Sequence, residues 1–386
     1  MARVRTYRNY QEAWGEWRRL GIPDGAFTRF DLASRQFIFI DSISKEEVSA
    51  LQEELAPKKT TVLPCRGDRV LVTITPLTLE NLLMTGASPR VLEMGEALRF
   101  RNEVEPPLFE WSDGSLDLSK PRVVGILNLT PDSFSDGGRN PDVDTAVQRA
   151  LAMKDEGADI IDIGGESTRP GSAPVSPDEE WSRISEVVRR VSEEAGVPVS
   201  VDTRRPEVAR KALRAGAVIV NDVSGLQENM AQVVRDEGAA AVVMHMRGEP
   251  SNMQNDTRYV DVVGDVYAFL EGRVRKAVAG GVPMERLAID PGLGFAKDVD
   301  GNLEIMSRLD EFRSMGRPVL LGASRKAFLG KISGGGPEDR LEASLAAVAV
   351  ACWQGVHLFR VHDVKETVRA LKAVSAMRAG ISPRSP

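Results

Sequence analysis

From residue 122 onward, apolar segments of this 386-residue chain repeatedly end in polar side chains that could carry out chemistry. Asn128, Asp202, Asn221 and Asp290 each follow or end such a segment, and Arg360 lies near the end of the last one. A carboxylate accepts two parallel hydrogen bonds from adjacent donors, whereas an amide both donates and accepts. If these side chains converge, they suit a flat heterocycle that has neighbouring ring N–H and amino groups.

A second group of residues has the chemistry to bind an anion. Arg360 and His362 are two positions apart on a predicted strand, so their side chains point to the same side. Asp363 then has the position of a helix N-cap, and helix N-termini bind phosphate groups. Lys326 opens the helix after the seventh predicted strand, where the helix dipole disfavours a cation. We therefore interpret Lys326 as a ligand-binding group near Asp290.

The same residues also have simpler interpretations, and one of them could bind a metal ion. Polar side chains at strand ends often cap the following helix or hold a loop in place. His245, between two methionines, is interpreted as a packed and hydrogen-bonded histidine. Three histidines and two widely separated cysteines give no zinc site. Magnesium needs less protein, often one oxygen ligand beside phosphate oxygens and water, and Asn128 could supply that oxygen.

The elements that must position these residues alternate between strand and helix. The predicted strands are Val123–Leu127, Asp159–Ile163, Val197–Val201, Val218–Asn221, Ala240–His245, Ala288–Asp290, Val319–Gly322 and His357–Val361. Helical segments separate them, among them 143–156, 178–195, 206–215 and 364–377. This rhythm predicts an α/β fold, a (β/α)8 TIM barrel with its active site at the carboxyl ends of the strands. No glycine fingerprint follows the first strand, which argues against an open doubly wound sheet.

Residues 1–118 have a different pattern and are predicted as a small accessory α+β N-terminal domain, with the barrel in residues 119–386. Helices are indicated at 10–20, 77–84 and 91–100, and strands at 35–40 and on both sides of Arg66-Gly67-Asp68. Ser44 followed by Glu47 is a capping-box pattern for a further helix that ends near Leu55. No catalytic constellation occurs in this part, and its role is left open.

Composition argues against several functional classes. A formal charge of −6 and the lack of a basic field argue against nucleic-acid binding. The N-terminus has no signal-peptide pattern, and the longest apolar stretch, 343–353, is too short to span a bilayer. The two cysteines, Cys65 and Cys352, favour a reducing cytoplasm over a disulfide scaffold. We therefore expect a cytoplasmic enzyme with no nucleic-acid and no membrane partner.

Eight short motifs make the chain similar to a known enzyme family. In order they are ILNLTPDSFSDGG, GGESTRPGS, VDTRRPEVA, VNDVSG, MHMRGEP, DPGLGF, LGASRK and FRVHDV. Together, over residues 122–377, they resemble the dihydropteroate synthases, pterin-binding (β/α)8 enzymes of folate biosynthesis. The resemblance implies transfer of a pterinylmethyl group, in which 6-hydroxymethyl-7,8-dihydropterin diphosphate and 4-aminobenzoate give 7,8-dihydropteroate and diphosphate. It also implies these small-molecule partners and a homodimer.

The resemblance further implies a role for each matching residue. Pterin binding is expected of Asp202, Asn221, Met244, Asp290, Phe295, Gly322 and Lys326. Diphosphate binding is expected of Asn128, Arg360 and His362, with Asn128 as the ligand of Mg²⁺. The 4-aminobenzoate site would comprise Pro131, Phe134, Thr168, Arg169, Pro170 and Ser324. The expected catalytic set is Asp202, Lys326, Arg360, His362 and Asp136, of which Asp136 would position the metal or its loop.

A pterin-binding barrel of the methyltransferase type, which uses a methylated folate, is the alternative. It would share the Asp and Asn residues of the pterin slot. It would not need the Arg360–His362 pair or the Ser324-Arg325-Lys326 edge, and both are present in this sequence. A barrel without catalytic activity is disfavoured because no expected strand-end residue is missing.

Overall fold

A computed structural model describes residues 2–5, 7, 10–23, 26–27, 31, 34–58, 60–102, 107–130, 143–168 and 171–380. The chain divides into two compact units. Unit 1 comprises Met1–Glu105 together with Asp310–Gly316, and unit 2 comprises Pro106–Leu309 and Arg317–Pro386. A short segment from late in the sequence therefore belongs to the N-terminal unit.

Unit 1 is an α+β fold built on a four-stranded antiparallel sheet. Its strands are β1 (Ala2–Arg5), β2 (Gln36–Asp41), β3 (Thr61–Cys65) and β4 (Arg69–Ile74). Its helices are α1 (Tyr10–Arg19), α2 (Lys45–Leu55), α3 (Pro76–Thr85) and α4 (Pro89–Arg101), with a 3-10 turn at Ala56–Lys58. The spatial order of the strands is β1-β2-β4-β3, so the expected α+β fold of this part is confirmed.

Both faces of this sheet are buried. Neighbouring residues of β2 point to opposite faces, and each set packs into an apolar cluster. Ile38 and Ile40 pack into one apolar cluster with residues of α2, α3 and α4. Phe37 and Phe39 pack into a second cluster that contains Trp17 of α1. Trp17 stacks on Phe37 with ring centroids 5.7 Å apart. Unit 1 thus has two cores on one sheet, which explains its continuous apolar strands.

Two local predictions for unit 1 are confirmed. The Ser44 hydroxyl accepts a hydrogen bond from the Glu47 N–H at 3.2 Å, and the Glu47 carboxylate accepts one from the Ser44 N–H at 2.9 Å. This is the capping box that begins α2. Between β3 and β4, Cys65 pairs with Arg69, and Gly67 provides the positive φ of +72° that the turn requires.

Buried ion pairs of β1 account for the late segment of unit 1. Arg3 is fully buried and donates to Glu311, which is also fully buried. Arg5 lies 3.2 Å from the other carboxylate oxygen of Glu311 and donates to Glu16 at 3.0 Å. Removing one partner of such a pair leaves an uncompensated buried charge at a cost of about 3–5 kcal/mol. The segment Asp310–Gly316 is therefore held in unit 1 by charges of its first strand.

Unit 2 begins with a hairpin of two short strands, β5 (Glu110–Trp111) and β6 (Gly114–Ser115). Eight parallel strands follow: β7 (Arg122–Asn128), β8 (Ile160–Gly164), β9 (Val199–Asp202), β10 (Ile219–Asp222), β11 (Ala240–Met244), β12 (Leu287–Asp290), β13 (Leu320–Leu321) and β14 (Leu358–Val361). Their order is β12-β11-β10-β9-β8-β7-β14-β13. The Ile289 N–H donates to the Pro318 carbonyl at 2.9 Å, and Ile289 bridges Val319. These contacts close the sheet, and the predicted barrel is confirmed.

Helices follow the strands of the barrel along the chain. They are α5 (Val143–Glu156), α6 (Pro177–Glu194), α7 (Pro206–Arg214), α8 (Glu228–Asp236), α9 (Val262–Ala279), α10 (Val299–Ser307), α11 (Ala327–Ser333), α12 (Leu341–Trp353) and α13 (Val364–Ala379). Short 3-10 helices lie at Met253–Asn255, Met284–Arg286 and Pro337–Asp339, and a further one, Leu309–Met315, lies almost entirely in the late segment of unit 1. Among the described residues, none of the helices has the length and apolar character needed to cross a membrane.

The hairpin region packs against the barrel rather than with unit 1. Phe109, 1 % exposed, and Leu118 join the apolar cluster formed by the first inward residues of the barrel strands, such as Val124 and Ile160. The Ser112 N–H donates to the Gly238 carbonyl at 2.9 Å. The units therefore divide at residues 105 and 106, whereas the sequence suggested a boundary at 118 and 119. The physical reason is that these apolar side chains fill the amino end of the barrel.

Candidate active site

Inside the barrel the inward side chains change from apolar to polar over two residues along each of four strands, toward the carboxyl end. The apolar cluster at the amino end includes Ile160, Ile219, Ala288 and Leu358. The positions two residues further along the same strands are Asp162, Asn221, Asp290 and Arg360. Strand side chains alternate with a period of two, so these polar residues face the same interior. The expected convergence of strand-end groups therefore follows from the register of the strands.

Arg360 of β14 links the acids of two other strands. Its Nε donates to Asp162 of β8 at 2.6 Å, and its Nη2 donates to Asp202 of β9 at 2.7 Å. Asn221 of β10 donates from Nδ2 to the same oxygen of Asp162 at 3.3 Å. Each of these bonds skips at least one intervening strand in the barrel, so each crosses its interior. Arg360, Asp202 and Asn221 are thus brought together as the sequence predicted.

Asp162 is a site residue that sequence reasoning missed. It is fully buried in the middle of the strand sequence IIDIG, and its Oδ1 has no hydrogen-bond partner among the described residues. The same is true of Asp202 Oδ1. The available signal was an ionisable residue inside an apolar strand, where an unpaired charge is costly. Two orphaned carboxylate oxygens in one interior are acceptors suited to the N–H groups of a ligand.

The environment changes the acidity of the carboxyl groups. Burial raises the pKa of Asp202 to about 7 against the opposing charge of Arg360, and Asp162 adds to the rise. Burial also raises the pKa of Asp290, although the Gly292 N–H and the Lys326 ammonium oppose that rise. Both acids therefore lose their protons more readily when a ligand donates hydrogen bonds to them.

Lys326 and Phe295 line the site beside Asp290. The Lys326 ammonium lies 4.5 Å from the centre of the Phe295 ring, a cation–π distance. Burial lowers the pKa of Lys326 to about 8, and the charge of Asp290 opposes the change. Phe295 and Met244, both at least nine-tenths buried, belong to one small apolar cluster. Charged groups next to an apolar wall are the arrangement that a flat polar ring requires.

Two glycines shape this part of the site. Gly292 has a φ of +70°, and a side-chain Cβ there would lie 2.0 Å from the His245 carbonyl oxygen. Its N–H donates to Asp290 Oδ1 at 2.7 Å, which orients that carboxylate. At Gly322, by contrast, a Cβ would meet no described atom within 4 Å. Gly322 therefore borders open space, as a residue lining a ligand slot must.

Arg360 and His362, the expected anion-binding pair, have different hydrogen-bond partners. Arg360 binds Asp162 and Asp202 as described above, whereas His362 Nδ1 lies 3.0 Å from the Ser324 hydroxyl. The prediction that Asp363 caps α13 is correct in position only. Its carboxylate makes no cap hydrogen bond, because it accepts from the Arg325 guanidinium at 3.0 Å instead. The first amides of α13 are therefore not occupied by this side chain.

Arg325 stands in the left-handed region at a φ of +55°, a strained conformation for a residue with a side chain. Its N–H donates to the Ser344 hydroxyl at 2.8 Å, and its guanidinium binds Asp363. These contacts fix the backbone at Arg325, between Ser324 and Lys326. Ser324, 6 % exposed, is thereby fixed next to His362.

The loop after β8 is anchored by an arginine of the next strand's loop. Arg205 donates to both oxygens of Glu166, at 2.8 and 2.9 Å, and also binds Glu180. Arg204 donates to Glu166 at 3.1 Å. Thr168 is half-buried in this loop. The other predicted loop residues, Pro131, Phe134, Asp136, Arg169 and Pro170, lie outside the described residues, and their roles stay predictions.

Asn128 is the residue predicted to bind a metal ion. It ends β7 as a half-buried residue, in register with Gly164, which in turn pairs with Asp202. No group of three or more His, Cys, Asp or Glu side chains suited to a metal occurs among the described residues. A magnesium ion needs fewer protein ligands than that, since phosphate oxygens and waters complete its octahedron. One amide oxygen at this strand end fits that requirement.

Comparison with known proteins assigns this geometry to one family. The sequence profile described as "Pterin binding enzyme" matches residues 124–362. A dihydropteroate synthase of Escherichia coli K12 is 45 % identical over 263 residues, which cover 68 % of this chain and 93 % of that protein. The profile match begins at residue 124 and so leaves out Met1–Glu105 of unit 1.

Solved structures agree with the sequence comparison. The dihydropteroate synthase of Xanthomonas albilineans with 4-aminobenzoic acid is 42 % identical, with a TM-score of 0.67, and the match covers 72 % of this chain and 100 % of that one. The same enzyme in complex with 7,8-dihydropteroate matches at 40 % identity and a TM-score of 0.65, with the same coverage.

We expect the affinity for a pterin to be confined to a narrow pH range. The Asp202 pKa is raised to about 7, so affinity should rise as the pH rises through that value and the carboxylate ionises. The Lys326 pKa is lowered to about 8, so affinity should fall as the pH rises further and the ammonium is lost. Pterin fluorescence titrations across neutral pH measure both limbs. Asp202→Asn should remove the lower limb, and a flat wild-type profile would contradict this assignment.

Proposed function

The chain belongs to the pterin-binding enzyme family, and we infer that it is a dihydropteroate synthase. The reaction joins 6-hydroxymethyl-7,8-dihydropterin diphosphate and 4-aminobenzoate to give 7,8-dihydropteroate and diphosphate. One observation carries the inference for this chain: Arg360 binds Asp162 and Asp202 and also acts electrostatically on Asp290 and Lys326. Five charged groups from five strands or strand ends thus surround one interior.

We assign the pterin to the acid and amide groups of that interior. Its ring N–H and amino donors match the orphaned oxygens of Asp162 and Asp202 and the carboxylate of Asp290. Asn221, whose amide both donates and accepts, completes the polar edge. The apolar cluster that contains Met244 and Phe295 suits the face of the ring. Gly322 leaves room for the ring because no described atom fills the space beside it.

The chemical step needs an electron-rich pterin more than a strong base. The bond between the exocyclic methylene carbon and the diphosphate oxygen breaks, and the electron pair leaves with the diphosphate. The aryl amine nitrogen forms the new bond to that carbon and then loses a proton to water. An aryl amine is already nucleophilic at neutral pH, so no Ser-His or Cys-His pair is required. The protein's main task is to stabilise the departing anion.

We assign the diphosphate to the region where β14 ends. His362 and the amino end of the 16-residue helix α13 lie there, and Asp363 does not cap that helix with its side chain. The free helix N–H groups attract an anion. Arg360 is shared, since its guanidinium already binds two acids. Arg360 therefore stabilises the anion through its positive charge rather than through two direct hydrogen bonds.

We assign 4-aminobenzoate to the edge formed by Ser324 and by Thr168 of the loop after β8. The Ser324 hydroxyl is fixed against His362 at 3.0 Å, and Thr168 is held in a loop whose base is anchored by Arg205. The structure of the similar Xanthomonas albilineans enzyme with 4-aminobenzoic acid supports this choice of substrate. Loops of this kind exclude water that would otherwise capture the reactive methylene.

Diphosphate release tests the function directly. The full-length protein should release diphosphate only when both the pterin diphosphate and 4-aminobenzoate are present. Asp290→Asn keeps the size of the side chain but removes its charge, and we expect it to lower kcat/KM by roughly a hundredfold through lost charge-assisted hydrogen bonds. A folded Asp290→Asn variant with normal turnover would contradict the site. Methyl transfer from a methylated folate, without diphosphate release, would instead support the alternative barrel.

We propose that Asn128 binds Mg²⁺ through its amide oxygen. When bound, the ion would neutralise charge on the diphosphate and polarise its oxygens. Asn128→Ala should raise the magnesium concentration needed for half-maximal rate by about tenfold, a size typical of a lost ligand contact. Asn128→Asp retains an oxygen and is the matched control, expected to need no more magnesium than the wild type. Full activity in excess chelator would remove the ion from the proposal.

We propose that unit 2 forms a homodimer through α12 and α13, which pack against each other. Val350 and Trp353 on α12 are 49 % and 58 % exposed, and Met377 on α13 is 70 % exposed. Such an apolar surface on a barrel helix is typical of a protein interface. Trp353→Glu should convert a dimer into a monomer in sedimentation equilibrium, with unchanged circular dichroism. A wild-type monomer, or a dimer unaffected by this substitution, would contradict the proposed surface.

We also propose a cytoplasmic location. Cys65 and Cys352 are both free thiols, as is usual in a reducing compartment. Cell fractionation tests this proposal, and recovery of the protein outside the cytoplasm would contradict it.

A further inference from the structure

One buried cation near the site has no role in the reaction as described. Lys297 is 3 % exposed, and its described hydrogen-bond partners are all neutral groups, while the charge of Asp290 acts on it from a greater distance. Its Nζ lies 2.9 Å from three acceptors: the carbonyl oxygens of Gly292 and Phe295, and His245 Nδ1. A lysine is seldom buried without a paired charge. Hydrogen bonds to these three acceptors are therefore what stabilises the buried lysine.

The acceptors match the donors of an ammonium group. A protonated lysine has three N–H donors, and the site offers three acceptors at hydrogen-bond distance. Burial lowers the pKa of Lys297 to about 7 against the opposing charge of Asp290, so the ammonium form with its three donors is present up to about neutral pH. Burial also lowers the pKa of His245 well below its usual value, and the charge of Lys297 lowers it further. The imidazole is therefore neutral, and its Nδ1 is free to accept. A side chain without these donors would leave two carbonyl oxygens buried and unsatisfied.

The two carbonyl groups belong to the loop that contains Phe295, whose ring lines the proposed pterin site. The loop from Gly292 to Lys297 turns through three positive φ angles, +70° at Gly292, +82° at Gly294 and +50° at Ala296. Ala296 has a side chain and is strained in this conformation. Lys297 binds the loop at two points of this path, at its beginning in Gly292 and further along at Phe295. Its ammonium thus offsets the tendency of the loop to unwind.

The same loop contacts two groups assigned to the pterin. Phe295 places its ring 4.5 Å from the Lys326 ammonium, and Gly292 donates to Asp290 at 2.7 Å. We propose that Lys297 is a positioning residue for pterin recognition, which acts by holding Phe295 and Gly292 through their carbonyl oxygens. This inference rests on the proposed function and adds to it a residue that touches neither substrate nor reacting atoms.

The expected consequence is a selective loss of pterin affinity. Lys297→Met keeps most of the length of the side chain but removes its donors, so the carbonyl group of Phe295 is no longer held. The dissociation constant of the pterin diphosphate, measured without 4-aminobenzoate, should rise about tenfold, as expected for buried acceptors left without a donor. The Michaelis constant for the aminobenzoate substrate should change less, within about twofold, since Ser324 and Thr168, the described residues assigned to it, make none of the hydrogen bonds of Lys297. Lys276→Met, at an exposed lysine of α9, is the matched control with no expected change.

A double-mutant cycle distinguishes positioning from general stabilisation. If Lys297 acts through Phe295, Lys297→Met should weaken pterin binding in the wild-type background but not further in a Phe295→Ala background. Effects that multiply in the double variant would overturn the inference. So would a Lys297→Met variant that melts at a lower temperature but binds the pterin normally.

His245 provides a second route in case Lys297→Met does not fold. His245→Gln retains an acceptor for the ammonium, whereas His245→Leu removes it. The inference expects weaker pterin binding in the leucine variant and recovery in the glutamine variant, and equal affinity in the two would overturn it. Failure of the proposed function is separate, since the wild-type protein would then release no diphosphate at all.

Discussion

The guanidinium of Arg360, bound between the carboxylates of Asp162 and Asp202, is the interaction on which the polar interior of the barrel depends. Two acids buried side by side would repel each other, and one shared cation makes their burial possible. Breaking such a pair costs about 3–5 kcal/mol, because it leaves charge uncompensated in the interior. The geometry also joins β14 to β8 and β9 across the barrel. The same contact thus orders the site and ties together strands that are not adjacent.

Much of this site could be predicted because barrel geometry converts strand ends into neighbours. Asp202, Asn221 and Asp290 were predicted from single apolar segments, and the structure places each at the carboxyl end of its strand. Asp162 and Lys297 were missed for different reasons. Asp162 lies inside a strand, where inward position depends on register, and Lys297 follows a loop whose path depends on three positive φ angles. Sequence periodicity does not contain the path of that loop, and it gives the inward position of Asp162 only once the pairing of the strand in the barrel is known.

Unit 1 shows the limit of local reasoning more clearly. Its helices, its capping box and its hairpin follow from patterns within a few residues. The buried pair of Arg3 and Glu311 joins positions 308 residues apart, and no pattern near either residue indicates the other. The assignment of Asp310–Gly316 to this unit follows from that pairing. Long-range burial of opposite charges is specific in the folded chain but leaves no periodic signal in the sequence.

The charges of the site explain why a further cation is needed when the diphosphate binds. Asp162, Asp202 and Asp290 are balanced by Arg360 and Lys326, and Lys297, whose pKa burial lowers to about 7, adds to the positive field at Asp290. A pterin ring brings no net charge and leaves this balance intact, whereas its diphosphate tail adds several negative charges. Arg360 cannot turn to the tail without exposing two buried acids to each other. The amino end of α13 provides only about half a positive charge. Most of the positive charge that balances the diphosphate must therefore enter the site together with it. A magnesium ion beside Asn128 would supply that charge.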